Sequence, residues 1–189
     1  MANMSTGETG LFDTREAYGT VSRTFHWVMA ALLLWQILSV LSHELLKDSA
    51  VEAFLFGQHF LVGFTIFVLA ILRGIWGLIN ISHRPPHVAG ALGKAAVAGQ
   101  TLMYLLMLGT PLVGLIYVWG SERGFSLLGV QIFAPQDQKI EWTAKLFEQL
   151  HGTFGWALFA LIAGHIAMAF LHPKFGGERV LPRMVPGRD

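Results

Sequence analysis

The sequence predicts an all-α integral membrane protein built as a four-helix bundle. Mean hydropathy is +0.53, and charged residues make up only 13% of the 189, where a soluble domain carries about 25%. Four apolar segments each approach the ~20 residues a helix needs to cross the hydrocarbon core. Four histidines, His26, His59, His151 and His165, lie inside or at the ends of those segments. Ionisable side chains at membrane depth are costly, and function is the default reason to keep them.

The first segment runs from about Phe25 to Ser42 (FHWVMAALLLWQILSVLS) and the second from about Phe54 to Ile79. The third, from about Ala95 to Trp119, has no histidine. Its Pro111 should kink the helix, which is tolerated where neighbours satisfy the freed carbonyl. The fourth covers about Leu150 to Leu171, and its helix should begin earlier, near Trp142. From Trp142 onward the pattern is amphipathic, with Trp142, Leu146, Phe147 and Leu150 set against Lys145, Glu148 and Gln149. No proline interrupts 136–172, and Pro173 should end the helix. Residues 1–20 form a polar tail without an apolar h-region, so no cleaved signal peptide is expected. One transmembrane domain over 21–175 and a C-terminal tail over 176–189 complete the chain.

The chain has no cysteine, which excludes covalent c-type haem attachment, iron–sulfur clusters, thiolate zinc and disulfides. A net charge of +1 gives no case for nucleic acid. Lys and Arg placement sets the orientation. Arg15, Arg23, Arg73, Arg84, Lys94, Lys174, Arg179, Arg183 and Arg188 fall on the side of the termini. Lys47, Arg123, Lys139 and Lys145 fall on the other. Both termini should therefore face the cytoplasm.

Chain direction then fixes the depth of each histidine. His26 starts an outgoing helix and is inner; His59 starts a returning helix and is outer. On the fourth helix His151 is outer and His165 inner. They are 14 residues apart, close to four turns, hence on one face and about 21 Å apart along the axis. Two depth-matched pairs follow, His26 with His165 and His59 with His151. Residues four positions on are Ala30, Gly63, Gly155 and Ala169, all small enough to leave room for a flat macrocycle. Two haems, each held between two imidazoles, suit this set. Zinc would need three or four ligands close together. A di-iron centre would need inward carboxylates that the apolar runs lack. The competing reading is that the histidines are interhelical hydrogen-bonding groups in a transporter or structural membrane protein.

His172 lies seven residues after His165, on nearly the same face, and rivals it as a ligand at the membrane edge. His43, His83 and His87 read as interfacial residues. Arg73 is deep for a charge; it either snorkels to the headgroups or pairs with a propionate of the inner haem. The six tryptophans lie mostly near segment ends and read as interfacial anchors.

Over roughly residues 18 to 186 the chain resembles the bacterial cytochrome b561 family. The resemblance rests on Ser22-Arg23 with His26-Trp27, His59 with Gly63, Arg73, Tyr104 with Pro111 and Gly114, His151-Gly152, His165, and the tail Leu181-Pro182-Arg183-Met184. It implies two b-type haems with these four ligands, and electron exchange between ubiquinone and a second partner. In superoxide-oxidising members that partner is superoxide, which is guided by an electropositive outer surface. Here the long outer loop is mixed, with Arg123, Lys139 and Lys145 against Glu122, Asp137, Glu141 and Glu148. The first outer loop, with Glu44, Asp48 and Glu52 against Lys47, is acidic. A periplasmic dehydrogenase or small redox protein is therefore the alternative donor, docking on the loop from Gly120 to Thr143. No catalytic acid, base or nucleophile is expected.

Overall fold

The computed structural model describes residues 10–85, 90–127, 129–175 and 181–184. Among them the chain forms α1 (Thr20–Leu45), α2 (Ala50–Gly57), α3 (His59–Ile79), α4 (Gly90–Trp119), strands β1 (Phe125–Leu127) and β2 (Val130–Phe133), and α5 (Glu141–Leu171). Four stretches are long and apolar enough to cross a membrane: α1, α2 with α3, α4, and α5. All four expected segments are present. Several begin earlier than the apolar pattern suggested, at Thr20, Ala50 and Gly90. A helix has no reason to stop where the hydrocarbon stops; its backbone ladder runs on through the headgroup layer. The fourth helix starts at Glu141 and is unbroken to Leu171, as the amphipathic stretch before His151 indicated.

The second segment is divided at Gln58, which caps both α2 and α3. The Ser49 side chain accepts the Glu52 backbone N–H and starts α2. The division makes His59 the first residue of α3. A β-hairpin in the 120–140 connection was not expected from the sequence. Its strands are antiparallel, and Gly124 and Gly129 adopt positive φ of +63° and +83° where the chain turns. Phe125, 8% exposed, anchors the hairpin on the first turns of α3, with its ring centroid 4.1 Å from that of Phe60.

Helix α1 packs on α3, α3 on α4, and α4 on α5. Helix α5 has no comparable contact with α1 or α3, so a slot runs between them. Met29, Ile66, Ala70, Met107 and Leu158 form a buried apolar layer at mid-bundle. At the end holding the termini, residues 10–19 fold back onto the bundle. Asp13, 3% exposed, accepts the Gly19 backbone N–H at 2.9 Å and the Arg84 guanidinium at 3.2 Å. Phe12 stacks on Trp76, whose indole N–H donates to Ser22. His87, Arg179 and Arg188 lie outside the described residues. His172 opens a short 3-10 turn (His172–Phe175), and its side chain is likewise outside them.

Candidate functional site

The slot beside α5 is where the four membrane histidines meet. At the hairpin end, His59 of α3 faces His151 of α5 with ring centroids 6.0 Å apart. At the termini end, His26 of α1 faces His165 of α5 with centroids 6.3 Å apart. Two opposed imidazoles sharing one metal ion would show this spacing. A metal–imidazole bond is about 2 Å and a ring nitrogen lies about 1 Å from its ring centre, which gives roughly 6 Å between centroids.

Hydrogen bonds settle which nitrogen of the hairpin-end rings is bare. Ser39 uses its one hydroxyl proton on the Gln36 carbonyl, at 2.8 Å. Its oxygen can then only accept from His59 Nδ1, 3.0 Å away. His151 Nδ1 lies 2.9 Å from the Thr110 carbonyl, which has no proton to give. Both rings therefore carry the proton on Nδ1 and leave Nε2 with a free lone pair. Metal-ligating histidines are commonly oriented in this way.

Local sequence explains how these partners are reached. Ser39 and Gln36 are three residues apart on α1, hence on one face, and the Gln36 side-chain amide also donates to the His59 carbonyl at 3.0 Å. Pro111, next to Thr110, has no N–H for the carbonyl four residues back and interrupts the α4 hydrogen-bond ladder there. Gly114 clears the approach: a Cβ there would lie 2.9 Å from the His151 ring.

A cavity of about 330 Å³ opens in the slot at the hairpin end. Its walls include Gln36, His59, Gly63, Thr110, His151 and Gly155. A Cβ on Gly155 would meet nothing within 4 Å, so this glycine adds to the open space. Gln36 Oε1 and Thr110 Oγ1 are buried without a partner, and Thr110 is only 8% exposed. Buried polar atoms are seldom left so unless a bound group meets them. The donors, the spacing and the open apolar slot fit a flat bis-imidazole macrocycle. Glu44 and Glu148 stand among the cavity's lining residues, and among the described residues no Lys or Arg does.

At the termini end the surroundings differ. Arg73 Nη2 approaches His26 Nδ1 at 3.4 Å, and its Nη1 lies 3.9 Å from the Met29 sulfur. The guanidinium is thus turned toward the termini-end pair and the bundle interior. Trp27 meets His26 edge-on and donates to the Met184 carbonyl at 3.0 Å, so it ties the C-terminal segment to the bundle. Tyr104 donates to the Ala70 carbonyl at 3.0 Å. His43 belongs to neither pair; it is stacked on Phe56 and 2.9 Å from Glu52. His83 Nδ1 lies 3.2 Å from the neighbouring Ser82 hydroxyl. The sequence reading missed Ser39, Gln36 and the Thr110 carbonyl as supports. Two polar residues within the apolar run of α1 were the available signal for the first two.

A family model described as prokaryotic cytochrome b561 matches residues 17–187. The chain is similar to cytochrome b561 homolog 1 of Escherichia coli (strain K12). The two are 27% identical over 176 residues, which cover 86% of this chain and 93% of that protein. It is also similar to cytochrome b561 homolog 2 of the same strain, at 24% identity over 181 residues, covering 92% and 93%.

Proposed function

The chain belongs to the prokaryotic cytochrome b561 family, and from that premise we propose that it is a dihaem cytochrome of the bacterial inner membrane that moves electrons between a periplasmic donor and ubiquinone. As a member of that family it is a membrane electron-transfer protein, and the family implies b-type haem. The observation that carries the dihaem reading is the facing imidazole pair found twice, with centroids 6.0 and 6.3 Å apart. The two levels are about 21 Å apart along α5.

Haem b held by two imidazoles supplies reversible one-electron exchange with no open iron position. His59 and His151 would hold the outer group, and His26 and His165 the inner one. Ser39 and the Thr110 carbonyl keep the outer rings' protons on Nδ1 and aim Nε2 into the slot. Gly63 and Gly155 leave the slot open between largely apolar walls. Arg73 offers a planar fork beside the inner pair, suited to a carboxylate such as a propionate. The excess of Lys and Arg near the termini supports a cytoplasmic placement of that end.

Two donors compete. One is superoxide, oxidised to oxygen. The other is a periplasmic dehydrogenase or small redox protein. Glu44 and Glu148 at the outer cavity favour the second, because carboxylates repel an anion and attract a basic surface.

The test is a pyridine haemochrome assay on the purified chain. Two haems per chain are expected; one or none overturns the proposal. A colourless protein would return the histidines to the role of interhelical hydrogen-bonding groups.

A further inference from the structure

The two histidine pairs have different polar surroundings. At the hairpin end both rings donate from Nδ1, His59 to the Ser39 oxygen and His151 to the Thr110 carbonyl. Donation of that kind pushes electron density onto the ring and makes Nε2 a stronger donor. At the termini end Arg73 Nη2 lies 3.4 Å from His26 Nδ1, where a guanidinium brings a positive charge and can accept no proton from the ring.

Charge adds to the contrast. Among the described residues, ion pairs join Arg84 with Asp13 and His43 with Glu52, and no carboxylate pairs with Arg73. It also lies 3.9 Å from the sulfur of Met29, a side chain with no exposed surface. A positive charge with no carboxylate partner is therefore set between α1 and α3, one ring away from where the inner iron would be held. Adding an electron to that centre lowers its positive charge by one, so a neighbouring cation favours the reduced form. The effect is large where water is scarce.

From these contacts we infer that Arg73 sets the electron distribution, making the termini-end centre the one of higher potential. This rests on the dihaem reading above. Arg73 acts through its charge on the centre that His26 would hold; it is a positioning residue. Ser39 and the Thr110 carbonyl, by strengthening the donors at the other end, stabilise the oxidised form there and act in the same direction. The first electron added to the protein resides at the termini end by at least tenfold, which is 59 mV for one electron. If Arg73 turns to a propionate when haem is bound, the sign is the same, because it then neutralises a negative charge beside the iron.

The test is a spectroelectrochemical titration of the full-length haem-loaded chain, with haem counted by pyridine haemochrome. Two midpoints are expected for the wild type. In Arg73→Gln the higher one falls by 59 mV or more while the lower stays, and Arg73→Lys retains most of the separation. Unchanged midpoints, or a fall in the lower one, overturn the inference. If Arg73→Gln loses a haem, His165→Ala decides the matter, since it keeps only the hairpin-end haem. Its single midpoint should match the lower wild-type value, and a match to the higher value overturns the inference. A wild-type chain holding fewer than two haems overturns instead the functional reading on which the inference rests, and the haem count alone distinguishes that case.

Discussion

Ser39 accepts a hydrogen bond from His59 across 3.0 Å, and it can do nothing else, because its own proton is held by the Gln36 carbonyl at 2.8 Å. One hydroxyl thereby fixes a tautomer on a neighbouring helix. Ser39 is fully buried, so no water can replace it. Ser39→Ala should leave the bundle folded but release the His59 ring. Loss of such a support typically weakens a metal ligand set 10–100-fold. The expected outcome is faster loss of one haem to an apo-haem acceptor protein, with the second retained. Haem transfer followed by absorbance checks it.

Gly114 makes the corresponding prediction for the opposite ring. A Cβ at this position would lie 2.9 Å from His151 Nδ1, so the ring must move and the 2.9 Å bond to the Thr110 carbonyl is lost. Gly114→Ala should perturb the hairpin-end haem alone. Low-temperature EPR of the oxidised protein is the measurement: one low-spin signal shifts and the other keeps its g values. Helix propensity opposes any account by backbone damage, since Ala is the better helix former.

Much of this was legible in the chain, for physical reasons. Four runs of apolar residues can do little in water except enter a membrane. Once they cross in alternation, the position of each histidine within its run fixes its depth. That is why the sequence alone pairs His59 with His151, and His26 with His165. What stayed hidden was whatever the sequence does not label. The Thr110 carbonyl is a backbone atom, and Gly114 leaves room for the His151 ring that reaches it. The direction of the Arg73 side chain depends on Met29 and His26 on another helix. The Asp13 clasp joins residues 71 positions apart, and a carboxylate in a polar tail gives no sign that it will be buried. The hairpin rests on two glycines with positive φ and one phenylalanine in a loop that reads as a mixture of charges.

Asp13 gives a prediction about stability that is separate from the haem sites. Its carboxylate meets the Gly19 N–H and the Arg84 guanidinium, with no exposed side-chain surface of its own. Arg84 is a third exposed, which screens part of the attraction. Asp13→Ala should cost about 1–3 kcal/mol, mostly from donors left without a partner. For a chain of this size that corresponds to a fall in Tm of roughly 2–4 °C per kcal/mol. A thermal scan in detergent is the check, with haem content before heating unchanged.

The last prediction concerns the mouth of the hairpin-end cavity. Glu44 approaches it from α1 and Glu148 from α5, and among the described residues no Lys or Arg lines the space. Like charges slow an encounter at low ionic strength, and salt relieves the slowing as the Debye length falls from about 30 Å at 0.01 M to 3 Å at 1 M. Reduction of the protein by superoxide should therefore accelerate as salt is added. Glu44→Gln with Glu148→Gln should accelerate it further at low salt, by several-fold, and make no difference at 1 M. A basic redox protein should respond in the opposite sense, slowing with salt and with the same two substitutions. Stopped-flow reduction at several salt concentrations measures both. A superoxide rate that falls with added salt would mean that the field at the mouth is positive, because the sign of the salt slope follows the sign of the charge that the incoming anion meets.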